Sequence, residues 1–162
     1  MGASRVEISR LMRPQDANFA GNVHGGVLLG LMDEVAYLCA SRYAESYAVT
    51  VSVHDVQFDT PVRVGEMVTL RAAVNAVGRT SMEIGIQIVA ADPRRPGSGR
   101  RTHRCYFTFV ALDEEGRPKP VPELVCETDQ DREWRCEAEL RRQLREHYRK
   151  EVETGVCRAM TS

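Results

Sequence analysis

Apolar residues along this chain follow two different periods. Between residues 26 and 43, Leu28, Leu29, Leu31, Met32, Val35, Ala36, Leu38, Cys39 and Ala40 cover nearly the whole circumference at a 3.6-residue period. That pattern predicts a helix buried on most of its sides. From 47 to 112 the character is β, with branched runs at 49–53, 68–74, 82–89 and 105–110. Turn signals separate them at 61–65, at Gly78 and at 92–99. Residues 6–12 alternate moderately and predict a short first strand, followed by a turn-rich loop over 13–18. Successive long strands joined by short turns predict an antiparallel sheet. The whole is an α+β layer fold in which the sheet can wrap the central helix. A Pro-punctuated exit at 116–122 leads to a charged helix over 127–153 with a narrow apolar stripe of Trp134, Ala138, Leu140, Leu144, Tyr148 and Val152. Such a stripe is expected to pack on the parent domain or a neighbouring subunit. The expected division is therefore a domain at 1–122 and a helical extension at 123–162.

Two adjacent carboxylates, Asp33 and Glu34, interrupt the central helix, and a carboxylate in apolar surroundings is costly unless paired, hydrated or functional. Just before the helix stand Gly25 and Gly26, whose backbone N–H groups at a helix start suit an anion or an oxyanion. The same glycines also suit a tight turn into the helix, and spacing alone leaves both readings open. Asp33 lies seven residues beyond Gly26, roughly 10 Å along the axis. It does not easily serve a carbonyl held at its own helix start. Two antiparallel helices at a twofold axis would instead bring Asp33 of one chain to the Gly25-Gly26 end of the other. On the intervening loop, Asn22 can orient a water or hold a carbonyl oxygen, or simply cap the loop. His24 is either a general base or acid, or a loop cap. Glu34 projects about 100° from Asp33 around the helix, so Asp33 is favoured for chemistry and Glu34 for a paired, supporting role.

At 162 residues the chain is long enough for one core. A formal net charge of -1 provides no basic field for nucleic acid. The first residues show no apolar signal core and no apolar run is long enough to span a bilayer, so a cytoplasmic location without a membrane partner is expected. Cys39, Cys105, Cys126, Cys136 and Cys157 have no metal-site spacing and read as reduced, structural thiols, with no metal or cofactor expected. Positive charge concentrates at Arg94, Arg95, Arg100, Arg101 and Arg104, with His103, where it either binds ligand phosphates or forms a solvated hairpin tip. Gly78-Arg79-Thr80-Ser81 at a strand start is equally ambiguous.

The run Met12-Arg13-Pro14-Gln15-Asp16-Ala17-Asn18-Phe19-Ala20-Gly21-Asn22-Val23-His24-Gly25-Gly26, with Leu31-Met32-Asp33-Glu34-Val35-Ala36, resembles the hotdog-fold acyl-CoA thioesterases of the cytosolic, brain-type branch. Phe58-Asp59-Thr60-Pro61-Val62-Arg63-Val64-Gly65-Glu66, Val77-Gly78-Arg79-Thr80-Ser81-Met82-Glu83 and Phe107-Thr108-Phe109-Val110-Ala111-Leu112-Asp113 extend the similarity over about residues 8–122. The turn at 93–99 and the tail after Pro122 do not match. The resemblance implies a single hotdog domain in a homo-oligomer, with a dimer as minimal active unit within a hexamer, a trimer of dimers. It implies hydrolysis of an acyl-CoA to free acid and CoA, with Asn22 and Asp33 as a catalytic pair from different subunits. Asp33 would act as general base or as nucleophile, with Gly25 and Gly26 holding the oxyanion. CoA contacts are expected at Arg79, Thr80, Ser81, Arg100 and Arg101. Two alternatives share the fold: an enoyl-thioester hydratase or dehydratase pairing His24 with Asp33 or Glu34, and a non-catalytic acyl-CoA-binding regulator. No helix-turn-helix segment precedes residue 12, which disfavours the regulator.

Overall fold

A computed structural model describes residues 4–155. They divide between residues 124 and 125 into two compact units. In the first, strand β1 (Arg5–Leu11) precedes a 3-10 turn at Pro14–Asp16, and helix α1 (Gly25–Ala44) follows. Strands β2 (Tyr47–Phe58), β3 (Met67–Val77), β4 (Ser81–Ala91) and β5 (Arg100–Leu112) complete it. They make one antiparallel sheet in the order β1-β3-β4-β5-β2. The periodicities thus locate every element to within a few residues. They miss the path of β2, which follows α1 yet pairs with β5 at the far edge, so the 59–66 segment is a crossover and not a hairpin turn. Strand pairing is a long-range choice that local pattern does not encode.

Alternation explains the core. Val68, Leu70, Ala72 and Val74 of β3, Met82, Ile84, Ile86, Ile88 and Ala90 of β4, and Cys105, Phe107, Phe109 and Ala111 of β5 are buried at period two. Helix α1 lies against all five strands, as a hotdog arrangement requires. It buries Leu28, Leu31, Met32, Val35, Ala36, Cys39, Ala40, Tyr43 and Ala44. The helix is nevertheless one-sided within the chain, which corrects the expectation of burial on most sides. Asp33 and Glu34 are exposed, and beside them stand the apolar Leu29, Tyr37 and Leu38, the last 46% exposed. The sequence shows only that a side chain is apolar, and an outward apolar face is covered by another body or by nothing in the same chain. Edge strand β2 adds exposed Tyr47, Val51, Val53 and Phe58, and Tyr37 and Tyr47 pack edge-to-face at 5.9 Å. An open edge strand with apolar side chains is a surface built for pairing.

The second unit holds helix α2 (Asp129–Glu153), started by a reciprocal capping box between Thr128 and Asp131. Of its predicted stripe Ala138 is buried, whereas Leu140, Leu144, Tyr148 and Val152 are exposed. Cys39, Cys105, Cys126 and Cys136 are free thiols, and Cys157 lies outside the described residues. Burial pushes the Cys39 and Cys105 thiols up to about 12, which keeps both protonated and unreactive. No described helix is long and apolar enough to cross a membrane.

Candidate active site

The loop ahead of α1 is held by backbone pairing at each of its turns. Asn18 N–H donates to the Asn22 carbonyl at 2.7 Å, Val23 N–H to Val62 at 2.8 Å and His24 N–H to Asp16 at 2.8 Å. Asn22 and Arg63 form an isolated antiparallel bridge, as do Ala17 and Val23. Asp16, nearly fully buried, accepts from Arg10 at 2.9 Å and from the Arg13 N–H at 2.8 Å. Its charge is therefore paired, as burial demands.

Two amide side chains lie on this loop in different states. The Asn18 Oδ1 accepts from the N–H groups of Ala20 at 2.9 Å and Asn22 at 3.2 Å. Both bonds use its acceptor, which orients the amide and leaves its NH2 group without a partner among the described residues. The half-buried Asn22 makes no side-chain hydrogen bond among the described residues, and its amide is not fixed by any neighbour.

His24 is the N-cap of α1, its Nδ1 accepting from the Gly26 N–H at 3.0 Å. The expectation of two free glycine donors is thereby narrowed, because Gly26 is already engaged. Gly25 N–H has no partner among the described residues and stays available at the positive end of the helix. A Cβ on Gly26 would meet His24 Nδ1 at 3.2 Å, and one on Gly25 would touch the Phe58 ring at 3.6 Å. The loop cap reading of His24 is the one the geometry carries. His24→Ala is accordingly expected to lose about 1 kcal/mol, the usual worth of an N-cap. That lowers the melting temperature by about 2–4 °C and leaves kcat within about tenfold, since general acid–base catalysis accounts for more than that. A turnover loss as deep as that at Asp33 would assign His24 to the chemistry.

Asp33 emerges on the exposed face of α1, eight residues from Gly25, or about 12 Å of helical rise. Its Oδ1 accepts from the Thr50 hydroxyl of β2 at 2.7 Å, and Oδ2 makes no hydrogen bond among the described residues. Thr50 is a residue that sequence reasoning passed over. Within Val49-Thr50-Val51-Ser52-Val53 it reads as one more polar position of an alternating strand, and only the fold brings it to Asp33. Glu34 is exposed and forms no ion pair among the described residues, so the pairing expected for it is absent there.

The arginines divide. Arg100 forks onto Glu66, Nη1 to Oε1 at 2.6 Å and Nη2 to Oε2 at 3.0 Å, and also donates to the Pro61 carbonyl at 2.8 Å. The guanidinium holds the Glu66 carboxyl below its ordinary range, and Arg100 is thus spent within the chain. Arg94 and Arg95 pair with Asp92, and Arg104 reaches Gln57 at 3.2 Å. His103 is buried edge-to-face against Phe58 at 4.9 Å, and desolvation lowers its pKa. Arg79 and Arg101 are exposed without an ion pair among the described residues. Ser81, beside Arg79 and Thr80, pairs with Val110, whereas Arg101 pairs with Val89 at the other end of β4. Eight strand residues, about 26 Å, separate those ends, so one phosphate does not bridge both within a chain. Among the described residues no cluster of His, Cys, Asp or Glu is placed to hold a metal ion.

Comparison with known proteins identifies relatives of the whole fold. The sequence model of the Thioesterase superfamily matches residues 20–96. Protein VdlD of Helicobacter pylori is 40% identical over 151 residues, 93% of this chain and 81% of that protein. The cytosolic acyl coenzyme A thioester hydrolase of Mus musculus is 38% identical over 131 residues, 80% of this chain and 34% of that longer protein. Among solved structures, an apo-hexameric acyl-CoA thioesterase superposes with a TM-score of 0.86 at 34% identity, covering 90% of this chain and 93% of the other. The acyl-CoA hydrolase of Staphylococcus aureus, solved with butyryl coenzyme A and coenzyme A, gives 0.85 at 32% identity over 98% and 96%. Variants of that hydrolase have been solved with alanine at an asparagine, at an aspartate fifteen residues after it, and at a threonine seventeen residues after that. Asn18, Asp33 and Thr50 stand at the same two spacings in this chain.

Proposed function

Because the chain belongs to the acyl-CoA thioesterases of the Thioesterase superfamily, we propose that it hydrolyses acyl-CoA thioesters to free acid and CoA at a site shared between two copies. The observation that carries the reading is the Thr50–Asp33 hydrogen bond on residues that keep, with Asn18, the spacing of the altered positions in the Staphylococcus aureus hydrolase. Thr50 fixes one carboxylate oxygen of Asp33 and leaves Oδ2 as the reacting atom. As general base, Oδ2 takes the proton of a water that attacks the thioester carbonyl; as nucleophile, it attacks directly. The carbonyl oxygen then gathers negative charge, and the Gly25 N–H and the oriented Asn18 NH2 are donors of the kind that stabilise it. On the general-base route collapse breaks the carbon–sulfur bond and the CoA thiolate leaves with the proton that Asp33 received. On the nucleophilic route collapse expels the thiolate and leaves an acyl–aspartate anhydride, which a water hydrolyses to free acid and the Asp33 carboxylate, its released proton going to the thiolate. Asn18 takes the role of loop amide in preference to Asn22, because its orientation is fixed before substrate arrives.

The helical rise supports pairing Asp33 of one copy with Asn18 and Gly25 of another. The exposed Leu29, Tyr37 and Leu38 of α1 and the open edge of β2 supply the surface for a twofold contact. A hexamer built as a trimer of dimers is the assembly we favour, the apo-hexameric relative being the precedent. Bound CoA would meet Arg79 and Arg101 from different copies, with Thr80 and Ser81 beside Arg79; Arg100 has no free donor fork to offer. No cofactor beyond the CoA of the substrate is invoked, and a cytoplasmic site of action fits a water-soluble substrate. The hydratase reading loses ground because His24 caps its own helix and pairs with no carboxylate among the described residues.

The test is CoA thiol release over a series of acyl chain lengths; absence of release from every chain refutes the reading. Thr50→Ala should lower kcat about tenfold, as loss of a residue that orients a reacting group does, with KM little changed. An unaltered kcat would remove Thr50 from the site.

A further inference from the structure

The loop that carries Asn18 and Asn22 leans on the 61–66 crossover, and the crossover is fastened by one ion pair. Val62 accepts from the Val23 N–H at 2.8 Å, and Arg63 bridges Asn22. Glu66 closes that segment on itself by accepting the Arg63 N–H through Oε2 at 2.8 Å. Arg100, from the start of β5, then locks Glu66 and the Pro61 carbonyl together with one guanidinium. The Glu66 side chain is only 14% exposed, and both its oxygens and the fork are satisfied, the geometry in which an arginine–carboxylate pair defines position as well as energy. The Met12 carbonyl and N–H also bond Gly65 and Glu66, at 2.8 and 2.9 Å, tying the crossover to the loop's other end.

We infer that the Arg100–Glu66 pair is a positioning device that sets where the amides of the 18–24 loop stand, so that its loss is read in turnover and not in substrate affinity. The inference rests on the proposed acyl-CoA hydrolysis for its kinetic readout, while its mechanical part stands apart from it. Small displacements of groups aimed at a developing charge are costly in rate. Substrate that still docks through other contacts keeps its affinity.

Glu66→Gln, Arg100→Gln and the double variant are compared with wild type by kcat and KM for an acyl-CoA and by amide hydrogen exchange. Each single change should lower kcat about 10- to 100-fold with KM within about threefold. The double should fall no further than the deeper single, because the two side chains act as a unit. Exchange at the Val23 amide should quicken while that of the β3–β4 ladder stays as it was. Should Glu66→Gln not fold, Arg100→Lys keeps the charge, loses the fork and is expected to show the same pattern with a shallower kcat loss. A raised KM with intact kcat in Arg100→Gln would overturn the inference and return Arg100 to phosphate binding. Unchanged kinetics with unchanged Val23 exchange would overturn it too. If wild type releases no CoA at all, the proposed function fails, and Val23 exchange alone decides whether the clamp exists.

Discussion

Asp33→Asn is expected to lower kcat for thioester hydrolysis by about a thousandfold, the range in which loss of a positioned base falls, with the folded state intact. Asparagine is isosteric and still accepts the Thr50 hydroxyl, and the position is exposed, so stability should shift by no more than about 0.5 kcal/mol. Thiol release beside a thermal melt separates the two effects. A variant that melts like wild type and keeps its full rate would exclude Asp33 from the reaction.

The second large effect distinguishes the two loop asparagines. Asn18→Ala should lower kcat by about 100- to 1,000-fold, as removal of an oxyanion donor does, whereas Asn22→Ala should stay within about tenfold. Alanine at 18 also releases the bonds to Ala20 and Asn22, so Asn18→Asp is the sharper variant. An aspartate keeps both accepted bonds, which hold the loop, while it replaces the NH2 donor with a second acceptor oxygen and adds a negative charge beside the developing oxyanion. Inactivity in Asn18→Asp at least as deep as in Asn18→Ala is the expected result. A deeper loss at Asn22 than at Asn18 would return the role to Asn22.

Both asparagines are visible in the sequence, four residues apart, and nothing in their spacing from Gly25 ranks them. What ranks them is which oxygen is already occupied, a property of the turn and not of the residue type. The same limit applies to Arg100. Its position in a run of arginines suggests a phosphate site, and its partner Glu66 lies 34 residues away, beyond the reach of any local pattern. Elements were legible because each rests on a short period: the strands on alternation, α1 on its 3.6-residue repeat. The exposed side of α1 was not, since Leu29, Tyr37 and Leu38 carry the same apolar signal as the buried Leu31 and Met32. Thr50 meets Asp33 only because β2 turns back beside α1 as it pairs with β5.

The division of the site between two copies is the central claim, and mixing inactive chains tests it most directly. Asp33→Asn and Asn18→Asp chains are unfolded and refolded together in equal amounts, then assayed for CoA release. Random pairing makes half of the dimers mixed, and each mixed dimer holds one intact site of two, so about a quarter of the wild-type activity should return. If Asp33 and Asn18 act within one chain, no intact site forms in any pairing and the mixture stays as inactive as its parents.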